Sequence, residues 1–349
     1  NLVVKHTEDE IAAINMAVGA NYAGVRAACG TSGGGFALMT EGFGLAAQTE
    51  VPIVVIEAQR PGPGTGMATH SGQGDLRFLL HAATDEFPRV IIAPGDVEEC
   101  FRKTIDAFNI AEKYQLPVIV LTDKFLGESF WTVPEFDTKN VVIERGELMT
   151  EVPAGYKRYT VTEDGISPRA VPGQKNGMHV ASSYEHDEEG NEREEEEIRV
   201  MMHNKRFRKM DGLAKTLDDP VLIGDHDADI TIISWGSTKG PILEAMKLLK
   251  EDGIKANFLQ VVYVSPLPAK GISDVINNSK ATVIIEGNKT AQLCGVIKEQ
   301  TGLDIDHKIL KYDGRPFSPQ DIHAGVKELL NNEELKQVVF SKHGIIEAW

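Results

Sequence analysis

The chain reads as an α/β protein, a doubly wound parallel sheet followed by a second, smaller α/β domain, and three observations carry that reading. Short β-rich runs alternate with helical stretches, first from residue 1 to about 135 and again beyond about 221. The strand runs, among them Ile53 to Ile56 and Val118 to Leu121, are apolar at every position, as parallel strands covered on both faces are. Between the two alternations the pattern dissolves into proline, glycine and charge, with nine acids against one arginine from 185 to 197. The expected organisation is a first domain over 1–135, a connection with an acidic run and a helix over 136–220, and a second domain over 221–349.

The elements follow in order. Leu2 to Lys5 reads as a buried first strand. A helix near Glu8 to Gly24 comes next, with Thr7 and Glu10 at the spacing of a capping box and a run of small residues, Ala12-Ala13 to Ala20, that allows close approach of a backbone or a ligand. Val25 to Cys29 is a strand, Gly30 to Gly35 a loop, Phe36 to Thr49 a helix, and Pro52 to Ala58 a strand. Val90 to Ala93, a helix near Val97 to Tyr114, and Pro117 to Thr122 complete the first alternation. The acidic run is expected to be a solvated connection leading into a helix from Glu195 to roughly Thr216. The second alternation runs through Asp229 to Trp235, a helix near Thr238 to Asp252, strands at Ala256 to Val261 and Ala281 to Glu286, and a helix near Thr290 to Thr301.

At 349 residues and 42% apolar content, the chain can build about two cored domains. Its apolar runs fall short of the roughly 18 residues a membrane span needs, and a net charge of −16 argues against nucleic acid. Three cysteines, Cys29, Cys100 and Cys294, have no metal-binding spacing and an odd total, which implies a reducing, cytoplasmic setting, no disulfide framework and no metal site; each reads as a core residue. The chain begins at Asn1, directly before an apolar run, so further sequence is expected upstream.

Ligands of such sheets bind beyond the carboxyl ends of the strands, and the loops at Thr31, Arg60 and Asp123 all qualify. Glu10 has two readings, a cap for its own helix or a carboxylate set against the edge of an aminopyrimidine ring. Gly30-Thr31-Ser32-Gly33-Gly34-Gly35 lacks the lysine of a P-loop and the spacing of a dinucleotide site, but offers backbone N–H groups at a helix start. Arg60, in the proline- and glycine-stiffened segment to Gly66, has the fork to clamp a carboxylate. Thr69, His70, Ser71, Gln73 and Asp75 then supply a dense set of hydrogen-bonding groups.

Taken together, Glu8-Asp9-Glu10-Ile-Ala-Ala, Ala20 to Arg26 with Gly30-Thr-Ser-Gly, Gln59-Arg60-Pro-Gly-Pro-Gly-Thr-Gly, Gln73-Gly-Asp-Leu, Tyr184-Glu-His-Asp-Glu-Glu-Gly, Lys205-Arg206-Phe-Arg-Lys, and Glu286-Gly-Asn288 with Gln292 resemble the alpha subunit of a 2-oxoacid:ferredoxin oxidoreductase of the 2-oxoglutarate synthase type, over essentially the whole chain. The resemblance implies a thiamine-pyrimidine-binding domain and a transketolase-C-terminal-like domain. It implies oxidative decarboxylation of a 2-oxoacid to acyl-CoA, with single electrons passed to ferredoxin. Glu10 would meet N1′ of thiamine diphosphate, with Thr31 and Ser32 beside the cofactor, and Arg60 and Thr69 would hold the substrate carboxylate. Mg²⁺ and an iron–sulfur cluster are expected on a beta subunit, with coenzyme A as co-substrate and gamma or delta subunits as further partners. The family's tyrosine-proline-isoleucine-threonine-proline motif, whose threonine contributes to the substrate pocket, does not occur in residues 1–349. Two rivals stand beside this reading: a non-catalytic α/β assembly module, and a non-oxidative transketolase-like thiamine enzyme.

Overall fold

A computed structural model describes residues 2–332 and 334–349. The expected first strand does not form: Leu2, Val3 and Val4 pair with no strand and are 90%, 87% and 84% exposed. A run of three apolar residues has strand propensity but becomes a strand only against a ladder and an apolar face, and this one meets neither.

The chain then winds helix α1 (Glu10–Tyr22), strand β1 (Ala28–Thr31), α2 (Gly33–Gln48), β2 (Ile53–Gln59), α3 (Leu76–His81), β3 (Val90–Ile92), α4 (Val97–Tyr114), β4 (Pro117–Asp123) and α5 (Lys124–Glu128). β1, β2, β4 and β3 lie side by side in that order, all parallel. Apolar side chains alternate to both faces: Ile53, Val55, Ile119 and Leu121 pack under α1 and α2, and Val54, Val90, Val118 and Val120 under α4. α1 and α2 approach closely because Gly42 leaves room for Ile14, whose Cγ2 would lie 2.7 Å from a methyl group placed there.

After an irregular segment come α6 (Glu196–Ala214), β5 (Val221–Ile223), β6 (Ile230–Ser234), a 3₁₀ turn (Gly236–Thr238), α7 (Lys239–Glu251), β7 (Ala256–Gln260), β8 (Tyr263–Ser265), α8 (Ala269–Asn278), β9 (Thr282–Glu286), α9 (Gln292–Thr301), β10 (His307–Lys311), α10 (Pro319–Asn331), β11 (Gln337–Ser341) and β12 (Gly344–Ala348). The second sheet has seven strands in the order β12-β11-β10-β9-β6-β7-β5, parallel except at its two edges. β8 leaves it and pairs antiparallel with β3, becoming the fifth strand of the first sheet. The first core continues without a break through Trp235, Leu259, Ile284, Leu293 and Leu310, so both sheets share one apolar interior. Among the described residues, no helix is long and apolar enough to cross a membrane.

The acidic run is only partly solvated. Glu194 to Glu197 are exposed, but Glu185 takes two hydrogen bonds from Arg206 and one from Arg199, and His186 is wholly buried against the ring of Tyr159. α6 is anchored by a buried charge cluster. Glu50, in left-handed backbone just past α2, receives Lys205 Nζ at 2.7 Å and Lys209 Nζ at 2.5 Å, and all three side chains are fully buried. The Arg158 guanidinium adds a bond to the Glu50 carbonyl at 2.8 Å. These cations hold the Glu50 carboxyl ionised, far below the usual carboxylate range, against the opposing effect of burial. Glu50→Gln therefore leaves two buried ammonium groups without their anion and should cost about 3–5 kcal/mol in denaturant unfolding, whereas replacing all three by apolar residues of similar volume recovers most of that loss.

Candidate active site

Two strand-to-helix turns and one long loop meet at the carboxyl ends of β1, β2 and β4, the position where open parallel sheets bind ligands. The turn after β1 starts α2 with Gly33-Gly34-Gly35. Its N-cap, Ser32, makes no side-chain cap, so the first N–H groups of the helix and the Ser32 hydroxyl stay available. Each glycine admits a neighbour. A methyl group on Gly35 would strike Thr31 Oγ1 and lie 2.8 Å from both Cγ and Oε1 of Glu10, one on Gly33 would lie 2.7 Å from Cγ of Asp75, and one on Gly34 would meet the Gly64 carbonyl at 3.5 Å. Three side chains and one loop carbonyl thus converge on a single helical turn.

Glu10 stands over Gly35 because it does not cap its own helix. The capping-box reading fails: Asp9 is the N-cap, its Oδ1 accepting from the Ala12 N–H at 2.6 Å, and the Thr7 hydroxyl donates to the Asp9 carbonyl at 3.1 Å. The true cap lies two residues beyond the expected one, which frees Glu10. Partly buried, its carboxylate has no protein hydrogen-bond donor among the described residues. Thr31 Oγ1 beside it makes only a 3.4 Å contact to the Ser32 carbonyl.

Arg60 leaves the end of β2 into the Pro61–Gly66 segment, where the Met67 N–H bonds the Pro61 carbonyl at 2.9 Å. Its Nε is buried and has no protein partner among the described residues. Thr69 is exposed, and its hydroxyl is engaged by His70 Nδ1 at 3.0 Å; no hydrogen bond joins it to Arg60 among the described residues. Thr69 and His70 line a cleft of about 240 Å³ with Lys124 and Arg315. The expected site residues therefore fall in two places, Glu10 with Thr31 and Ser32 at the start of α2, and Thr69 in the neighbouring cleft, where Lys124 is paired with Glu128. Arg60 lies in the loop that connects them.

That loop is clamped by the second sheet. Gln73 exchanges two bonds with Gly287, N–H to carbonyl at 2.9 Å and Oε1 from N–H at 2.8 Å, and its Nε2 donates to the Trp235 carbonyl at 3.0 Å. Asn288 Nδ2 donates to the Gln73 carbonyl at 3.1 Å and Gln292 Nε2 to the Gly74 carbonyl at 2.7 Å. Behind them Glu286, fully buried, accepts from Trp235 Nε1, Asn288 Nδ2 and the N–H groups of Leu293 and Cys294, which fixes Asn288. Asp123, at the end of β4, takes the Ser71 hydroxyl at 3.2 Å. Burial pushes the Cys29 thiol up to about 11, and Cys29, Cys100 and Cys294 are all free.

Residues 1–205 match the family model described as pyruvate flavodoxin/ferredoxin oxidoreductase, thiamine diP-binding, and residues 221–323 match the transketolase C-terminal domain. The chain is 39% identical over 348 residues to the alpha subunit of 2-oxoacid:ferredoxin oxidoreductase 2 of Aeropyrum pernix, covering 98% of this chain and 54% of that one. It is 41% identical to the alpha subunit of the Saccharolobus solfataricus 2-oxoacid:ferredoxin oxidoreductase, covering 97% and 54%, and so spans about half the length of these relatives. It is 29% identical to the 2-oxoglutarate synthase subunit KorA of Methanothermobacter thermautotrophicus, covering 90% and 83%. Among solved structures, the 2-oxoglutarate:ferredoxin oxidoreductase of Magnetococcus marinus, with 2-oxoglutarate, coenzyme A and succinyl-CoA bound, matches with a TM-score of 0.87 at 37% identity over 93% of this chain and 56% of that one. A split-gene transketolase, an inactive β4 tetramer, matches with a TM-score of 0.50 at 13% identity over 93% of this chain and 82% of its own, a likeness of fold alone.

The clamp makes a prediction that needs no activity. Gln73→Ala strands the Gly287 N–H and removes one of two donors from the Trp235 carbonyl, which keeps the Thr238 hydroxyl, so denaturant unfolding should show a loss of about 1–3 kcal/mol and the 60–74 loop should become a site of limited proteolysis.

Proposed function

We propose, for a chain that belongs to the pyruvate flavodoxin/ferredoxin oxidoreductase thiamine-diphosphate-binding family, that it acts as the alpha subunit of a 2-oxoacid:ferredoxin oxidoreductase, converting a 2-oxoacid to acyl-CoA and CO₂ with electrons passed singly to ferredoxin. The observation that supports it best is the Glu10 carboxylate, which does not cap its helix, has no protein donor among the described residues, and is set over a glycine whose missing side chain leaves it room. Such a cradle fits the edge of an aminopyrimidine.

Thiamine diphosphate, when bound, supplies a nucleophilic ring carbon and the electron sink for decarboxylation. The work of this chain is to orient and protonate. Glu10 would hold the hydrogen bond at ring N1′, so that the opposite exocyclic nitrogen can accept a proton. The free N–H groups from Gly33 onward and the Ser32 hydroxyl would meet the ring's polar edge. Arg60 carries a buried Nε in want of an acceptor, which suits bidentate contact with a carboxylate. Thr69, freed from His70, would take the second carboxylate oxygen from the cleft it shares with Lys124 and Arg315.

The diphosphate with its Mg²⁺, and the iron–sulfur cluster, would lie on a beta subunit, a placement supported by relatives that are named as alpha subunits. Ile11, Met16 and Leu38, each more than half exposed on α1 and α2 around Glu10, support a partner on that face. Coenzyme A as acyl acceptor is supported by the Magnetococcus marinus relative, which was solved with it bound.

The test is co-expression with a beta subunit and measurement of coenzyme-A-dependent reduction of a one-electron dye across a panel of 2-oxoacids. Glu10→Gln should lower kcat by about 10²–10³-fold with an unchanged Tm, and Arg60→Gln should raise KM by about 10–100-fold. Full activity in Glu10→Gln would return the chain to the assembly-module reading, and turnover without coenzyme A or an electron acceptor would favour a transketolase-like enzyme.

A further inference from the structure

Beneath the glycine turn lies a pair of acids that the proposed chemistry leaves unused. Glu57, near the end of β2, is 0% exposed, and neither of its carboxyl oxygens has a hydrogen-bond donor among the described residues. It stands in register with Thr31 of β1 and Leu121 of β4, so it points to the same face of the sheet as Thr31, below the first turn of α2. Asp75, just before α3, reaches that place from the substrate loop. Gln59 Oε1 accepts from its N–H at 3.0 Å, its carboxyl packs against Gly33, and its Oδ2 is likewise buried without a donor.

Gln59, two residues beyond Glu57 on the same face of β2, holds the Asp75 backbone, so three buried carboxyl oxygens without a donor, Oε1 and Oε2 of Glu57 and Oδ2 of Asp75, gather beneath the same turn, where a proton on one acid supplies the missing donor. The charged groups that face Glu57 from its neighbours are both acids, Asp75 from the start of α3 and Asp123 from the end of β4. Arg60 forms no ion pair with any of them among the described residues. Two ionised carboxylates sharing such a pocket would repel each other with no cation to offset them.

We propose that Glu57 and Asp75 hold one proton between them, Glu57 donating to Asp75, and that this singly charged pair positions the glycine turn and the Arg60–Asp75 loop around Glu10. The anionic partner is Asp75, which lies against the N-terminus of α2, where the helix dipole and free N–H groups favour negative charge. Glu57, without such contacts, keeps the proton, and burial followed by Asp75 drives it well above the ordinary carboxylate range. The sign of the linkage follows. A carboxyl raised on folding contributes its full stability below the unfolded value of 4.5 and loses it as pH climbs toward the folded value.

The positioning role rests on the function proposed above; the shared proton does not, and its test needs no turnover. Infrared spectroscopy of the full chain with ¹³C-labelled glutamate should show a protonated-carboxyl band at neutral pH that disappears in Glu57→Gln. Absence of the band in the native chain, or its survival in Glu57→Gln, overturns the proposal. Unfolding midpoints between about pH 5 and pH 9 should fall less steeply for Glu57→Gln than for the native chain, and superimposable slopes overturn it equally. Should Glu57→Gln not fold, Asp75→Asn replaces it: removing the charged acceptor must shift the band, and an unmoved band counts against the pair.

Discussion

Everything at the candidate site depends on the absence of three β-carbons. The first turn of α2 is built from Gly33, Gly34 and Gly35 so that Asp75, a carbonyl of the Pro61–Gly66 segment, and Thr31 with Glu10 can each press against helical backbone. A helix start is electropositive and rich in unpaired N–H groups, and glycine makes it approachable. That combination draws two acids, Glu10 and Asp75, towards one dipole end. It also explains why a helix as poor in helix-forming residues at its start as this one is kept in place by packing rather than by propensity.

The second constraint comes from the other sheet. The loop carrying Arg60, Thr69 and Asp75 has little regular structure of its own, and its geometry is set by Gln73, held by Gly287, Trp235 and Asn288, with Glu286 buried behind them. Strand β8 crossing into the first sheet and the shared apolar core act in the same direction. Neither sheet can shift without disturbing the loop, so the second domain belongs to the site through the loop that it holds.

Much of the scaffold was legible in the sequence because buried parallel strands are apolar throughout and their helices are long: α4, β4, β6, β7 and β9 lie within a residue or two of where periodicity puts them. Leu2 to Lys5 misled because propensity is local whereas a strand needs a neighbour. β8 is too short to read, and its pairing with β3 joins segments more than 160 residues apart. The capping box misled by two positions, since Thr7 and Asp9 are both good caps and only the backbone path chooses between them. Lys205 and Lys209 look like solvated helix residues until Glu50, 155 positions away from the first of them, is set beside them. Glu57 matches no motif, being one acid in an apolar strand, although that anomaly is itself a clue: an ionisable residue that is itself fully buried needs a proton or a partner.

A Glu10 carboxylate that tunes the aminopyrimidine of thiamine diphosphate must govern the rate at which the C2 hydrogen of the bound cofactor exchanges with deuterated solvent in the complex reconstituted with a beta subunit. Glu10→Gln should bind the cofactor but slow that exchange by about 100-fold or more; an exchange rate equal to that of the native complex would rule out this role for Glu10.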